Sequence, residues 1–166
     1  MNVKPMLRTG VLFAALAAVA VPAQAATTGT MSGTACQSLY DPSYQNGRLL
    51  WHDGNAIRNS DVYTKYVSCP IPRVNGTSTT GLSAAYVDLS DASAGTMSCS
   101  LNSWDDFGNL IASSGTKYSG GTGQREIAFG NFPTSVAWGT YTLSCTLPPL
   151  SATQSTYIYS YQWVER

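Results

Sequence analysis

Tyr141-Thr142-Leu143-Ser144-Cys145-Thr146-Leu147 alternates without interruption. Tyr141, Leu143, Cys145 and Leu147 fall on one side of an extended chain, and Thr142, Ser144 and Thr146 on the other. This is the period of a strand with one face in a core and one in water. Pro148-Pro149 closes it, because proline brings no N–H to a ladder. A cysteine in mid-strand on the apolar face implies a sulfur directed into the core.

The same grammar extends in both directions. Towards the C-terminus, residues 157–164 form the last strand. Towards the N-terminus, residues 125–129 align Ile127 with Phe129, and residues 96–101 align Met97, Cys99 and Leu101. Residues 84–89 align Ala85, Val87 and Leu89. Residues 61–69 put Tyr63, Lys65, Val67 and Cys69 together and are stopped by Pro70 and Pro72. Residues 47–51 are a short strand that runs into the turn His52-Asp53-Gly54-Asn55. Asp105-Asp106-Phe107-Gly108 reads as a hairpin turn with a returning strand over 109–112, and the Gly- and Ser-rich stretch 115–123 as a loop or ragged edge. Beyond residue 25 no window shows helical apolar spacing over three turns. About eight short strands with turn signals roughly every ten residues predict an all-β fold, a single antiparallel β-sandwich.

The N-terminus is different in kind. Lys4 and Arg8 precede an apolar run over residues 11–21, Pro22 breaks it, and Ala23-Gln24-Ala25 supplies small residues at a cleavage site. That order is a secretory signal peptide over 1–25. The run is about half the ~20 residues of a spanning helix, so a membrane span after cleavage is not expected. Cys36 lies too far from the apolar run for lipid attachment. Residues 26–35, rich in Thr, Gly and Ser, read as a flexible arm, and 36–166 as the sandwich domain. Two of the nine basic side chains leave with the signal, so seven remain against nine acids. Without a basic patch, nucleic acid is excluded as a partner.

Cys36, Cys69, Cys99 and Cys145 form an even set in an exported chain, which predicts two disulfides. None is spaced for a zinc knuckle or a redox pair. Of the three possible pairings we expect the sequence neighbours, Cys36–Cys69 and Cys99–Cys145. The second would pin two strands, and could join the two sheets.

Two resemblances bear on this reading. The strand ending Tyr141-Thr142-Leu143-Ser144-Cys145 resembles the one that carries the second cysteine of an immunoglobulin-like domain. The resemblance is partial: Leu143 stands where the corner tyrosine belongs, and Trp104 follows Cys99 by only five residues. Ala35-Cys36-Gln37, Gly47-Arg48-Leu49, the segment from Val67 through Cys69 to Arg73, Met97-Ser98-Cys99-Ser100-Leu101 and the Cys145 strand together resemble small exported four-cysteine proteins of Gram-negative bacteria. That likeness implies export, disulfides and a β-fold, and brings no catalytic residue.

Chemistry-bearing residues are sparse. His52, the single histidine, sits beside Asp53, yet no Gly-x-Ser-x-Gly elbow accompanies them, which favours a solvated turn over a hydrolase. Glu126 and Glu165, the two glutamates, would have to pair for glycoside hydrolysis and are expected to face water. Asp88 and Asp91, with the acidic turn of Asp105 and Asp106, could offer oxygens to calcium if the two segments met; ordinary turn chemistry is the competing account. Gly120-Gly121-Thr122-Gly123 has no helix after it to bind phosphate, and Asn75-Gly76-Thr77 is a formal sequon expected to be a turn.

The last strand carries the most specific feature. Strict alternation puts Tyr157, Tyr159, Tyr161 and Trp163 on one face, and Ile158, Ser160, Gln162 and Val164 on the other. An outward aromatic face would stack on sugar rings or meet a protein surface; an inward one would be core. The composition therefore predicts an exported, non-catalytic binding, surface or envelope protein. The alternatives are a carbohydrate-binding module built on those four rings and, behind it, a small secreted hydrolase.

Overall fold

The computed structural model describes residues 26–39, 50–74, 76, 79–91, 96–132, 136–150 and 154–166, the side chains of 50–53 excepted. The signal segment, the sequon residues Asn75 and Thr77, and residues 47–49 of the first predicted strand lie outside these.

Among the described residues eleven strands build two antiparallel sheets. They are β1 (Thr27–Ser32), β2 (Gln37–Ser38), β3 (Leu50–Asp53), β4 (Ala56–Asn59), β5 (Lys65–Ile71), β6 (Leu82–Asp91), β7 (Ser98–Trp104), β8 (Leu110–Tyr118), β9 (Gly123–Phe129), β10 (Thr140–Leu147) and β11 (Thr156–Glu165). One sheet runs β3-β4-β11-β6-β9, with β1 paired to the C-terminal part of β11; the other runs β2-β5-β10-β7-β8. Their inner faces meet in one core that includes Ile57, Val67, Val87, Leu101, Ile127 and Leu143.

The count exceeds eight for local reasons. Gly54, at φ 62°, lets β3 turn back tightly into β4, so one predicted strand and turn become a hairpin. Residues 26–35, expected as a loose arm, form β1 and a short 3-10 turn over Gly33–Ala35. Thr27 through Ser32 pair with Glu165 back through Ser160. The low apolarity of β1 follows from its partner: a Cβ on Gly29 would collide with the Trp163 indole, so the ring folds over bare backbone directly across the ladder. β5 continues through Pro70 to Ile71, because β2 pairs only Ser68 and Val67 and leaves the outer side of β5 open beyond them.

Both disulfides have the expected pairing, Cys36–Cys69 and Cys99–Cys145. Cys99 and Cys145 are direct ladder partners of β7 and β10 with Cα atoms 4.1 Å apart, so the bridge lies within one sheet and does not join the two. An immunoglobulin-type bridge crosses between sheets, and this geometry separates the fold from that family.

Glu165 also departs from expectation. It is 2% exposed; Arg73 Nε donates to Oε1 at 3.1 Å and the Val74 N–H to Oε2 at 2.8 Å. The Arg73 guanidinium also lies over the Tyr141 ring. Paired and hydrogen-bonded in this way, the carboxylate is tolerated where a lone charge would not be.

Candidate functional site on the outer face of the six-stranded sheet

β11 does not alternate strictly. Ile158 pairs with Leu89 and Ser160 with Asp88, leaving Tyr159 as the extra residue of a β-bulge. The bulge resets the phase. Ile158, Tyr161 and Trp163 point into the core at 0%, 0% and 3% exposure, while Tyr157, Tyr159, Ser160, Gln162 and Val164 turn outward or are half-buried. The four aromatics that alternation placed on one face are thus divided two and two. Unbroken alternation would bury Ser160 and Gln162 and leave two large rings in water; one unpaired residue avoids both. The sequence carries the signal as a spacing of three between Ile158 and Tyr161, where an unbroken strand needs two.

The inward pair is structural. The Tyr161 hydroxyl donates to the Pro70 carbonyl at 2.7 Å, and burial pushes its pKa up to about 12. The outward pair stacks on itself, ring centroids 5.7 Å apart and nearly parallel at 6°. Arg58 Nη1 donates to the Tyr157 hydroxyl at 3.3 Å and anchors one end of that stack.

Register places the polar neighbours. Tyr157 lies between Arg58 of β4 and Ser90 of β6, and Ser90 is opposite Gln124 of β9. One row on, Ser160 is opposite Asp88, and Asp88 is opposite Glu126. Asp88 Oδ2 accepts from the Ser160 hydroxyl at 2.6 Å and from Gln162 Nε2 at 3.4 Å, which fixes the carboxylate on the sheet surface. Glu126 is exposed, as expected. Asp88, Leu89, Gln124, Arg125, Glu126 and Tyr159 line an open depression of about 430 Å³. Two carboxylates directly opposite one another weaken a sheet. The depression therefore combines one ring face, the fixed Asp88 carboxylate, the exposed Glu126 carboxylate and an amide that can donate or accept.

The other candidates fall elsewhere. Asp91, three residues beyond Asp88, points inward: Oδ2 accepts from the Met97 N–H and the Ser119 hydroxyl, both at 2.8 Å. Asp105 holds its own turn, accepting from the Asn109 side-chain amide at 2.8 Å and from the backbone N–H groups of Asn109 at 2.7 Å and Phe107 at 2.9 Å. Those bonds, the Asn109 amide first, hold its carboxyl below the usual carboxylate range. Asp91 meets the chain just before β7 and Asp105 follows that strand, so the predicted calcium ligands sit about 25 Å apart at its two ends. Among the described residues no three His, Cys, Asp or Glu gather as a metal would need. His52 and Asp53 lie on β3 opposite Ile57 and Ala56. Glu126 and Glu165 occupy an outer face and an interior, so they do not form a catalytic pair. Among the described residues no helix is long and apolar enough to cross a membrane.

No protein-family model matches the chain, and no curated protein matches it in sequence. Solved structures do share its architecture. A low-affinity xylan-binding module from the gut symbiont Roseburia intestinalis superposes with a TM-score of 0.50 at 11% identity, over 84% of this chain and 96% of that one. The enzymatically active domain of a tailspike protein of bacteriophage CBA120 gives a TM-score of 0.50 at 10% identity, over 84% of this chain and 19% of that one. At such identities the likeness is one of fold: the chain is a disulfide-bonded antiparallel β-sandwich of the architecture those structures share.

Proposed function

We propose that the protein is an exported, non-catalytic glycan-binding module whose site is the outer face around Tyr159. The observation that carries this reading is the β-bulge. It turns Tyr161 and Trp163 into the core and leaves Tyr159 outward beside Asp88, Gln124 and Glu126. A sugar ring has an apolar C–H face and a rim of hydroxyls. The tyrosine ring offers a surface to the first, and carboxylate and amide oxygens accept from the second. An open depression suits a chain that passes over the surface and is held weakly, as opposed to a small molecule enclosed by its site. That a sandwich of this architecture serves xylan binding in Roseburia intestinalis supports the reading. The two disulfides belong to an oxidising compartment and accord with export.

Affinity electrophoresis through gels cast with xylan, mixed-linkage glucan, glucomannan or polygalacturonate tests it. At least one of these retards the wild type, and Tyr159→Ala lowers the affinity about tenfold while its melting temperature stays close to the parent's. Unretarded migration of the wild type through all four would end the proposal.

A further inference from the structure

The turn that leads into β10 carries a tryptophan where a glycine belongs. In Val136-Ala137-Trp138-Gly139 the Gly139 N–H donates to the Val136 carbonyl at 3.1 Å and closes four residues. Trp138, at the third position, has φ 62° and is the one non-glycine residue with positive φ among the described residues. A positive φ at that position is the demand of a type II turn, met by glycine or asparagine. A bulky side chain there is a genuine outlier. Gly139 cannot take the indole in its place, since a Cβ there would lie 2.5 Å from the Trp104 carbonyl oxygen; only a glycine at 138 itself would meet the turn without strain.

Burial does not explain the choice, since Trp138 is 66% exposed. Its N–H donates to the Gly76 carbonyl at 2.5 Å. A Cβ on Gly76 would come within 3.2 Å of the indole Cε3, so one edge of the ring rests on bare backbone while the rest meets solvent. Strain of this kind persists where the surroundings enforce it, and it gathers at sites of function.

We infer that Trp138 is a second sugar-binding platform, an indole face that stacks on the apolar side of a pyranose ring. The inference rests on the glycan-binding reading and adds a separate place to it. Arg73 fixes that place: its Nε donates to Glu165 and its Nη1 to the Val136 carbonyl at 2.7 Å, so the turn lies over the C-terminal end of β11. Tyr159 is six residues back along that strand, about 20 Å away. A protein partner would need an interface of roughly 800 Å² per side around such an anchor; a sugar ring needs only the ring.

The test pairs Trp138→Gly with Trp138→Phe in the full chain, using the same four polysaccharides, thermal unfolding and sedimentation velocity. Trp138→Gly raises the melting temperature by a few degrees, because glycine accepts the turn, and weakens binding about fivefold. Trp138→Phe keeps a ring and recovers part of the affinity without the thermal gain. Combining Trp138→Gly with Tyr159→Ala abolishes retardation. Unchanged affinity in Trp138→Gly overturns the inference, as does a lower melting temperature with binding intact, which would make the indole a structural clamp. Self-association of the wild type that is lost in Trp138→Gly also overturns it, in favour of a second copy of the chain. If Tyr159→Ala alone loses binding, this inference fails and the Tyr159 site stands; if Trp138→Gly alone loses it, the reverse holds.

Discussion

Tyr161 keeps its proton well beyond the pH at which a free tyrosine loses one, because its hydroxyl lies buried against the Pro70 carbonyl. In the unfolded chain the same group ionises near 10, against about 12 in the fold. Between those values the unfolded state has released a proton that the native state still holds, so stability falls as pH rises. The contribution is complete below pH 10 and is lost through pH 12. Urea midpoints measured between pH 8.5 and 11 should decline, and Tyr161→Phe should flatten part of that decline; an identical decline in the variant contradicts the burial. Tyr159, two positions away, is 38% exposed and available to a ligand. Composition could not divide these two tyrosines. The division depends on where one unpaired residue falls in a ladder, and only the interruption between Ile158 and Tyr161 betrays it. Glu165 was obscured in a similar way, because its partner Arg73 lies 92 residues earlier and no local pattern announces the pair.

The strands that were plainest in the sequence are those with one wet and one dry face. β10, β6 and β9 read correctly because their inward residues, such as Leu143, Val87 and Ile127, alternate with polar ones. β1 and β4 were hidden for opposite reasons: β1 has few apolar side chains because Trp163 covers its Gly29, and β4 is too short to show a period. β8 is an edge strand whose residues are mostly exposed, so only its start over 109–112 read as a strand and its end as a loop or ragged edge. The disulfides tie Cys36, just before β2, to β5 and join β7 to β10, leaving the six-stranded sheet to hold by its ladder and core. The Cys99–Cys145 loop spans 46 residues, for which the chain-entropy account gives about 4 kcal/mol. Replacing both cysteines with alanine should lower the unfolding free energy by roughly that amount, read from denaturant curves. A loss below about 1 kcal/mol would mean that the unfolded chain is already held compact by other means.

On the scale of the molecule, the two acidic segments that suggested calcium are separated by the length of β7, and Asp88 and Asp91 face opposite ways on one strand. The charge pattern that could be read along the chain therefore said little about what meets in space. The fold class and the cysteine pairing were legible because alternation and spacing are properties of the chain itself. The site was legible only as a strand of aromatics, since its selection of two rings from four needs the partner strand. Tyrosine nitration mapped by mass spectrometry, with and without a polysaccharide that retards the protein, tests that selection most directly. Tyr159 should be modified in the free protein and protected in the complex, while Tyr161 stays unmodified in both. Modification of Tyr161 at the rate of Tyr159, or equal modification of Tyr159 with and without the polysaccharide, would contradict it.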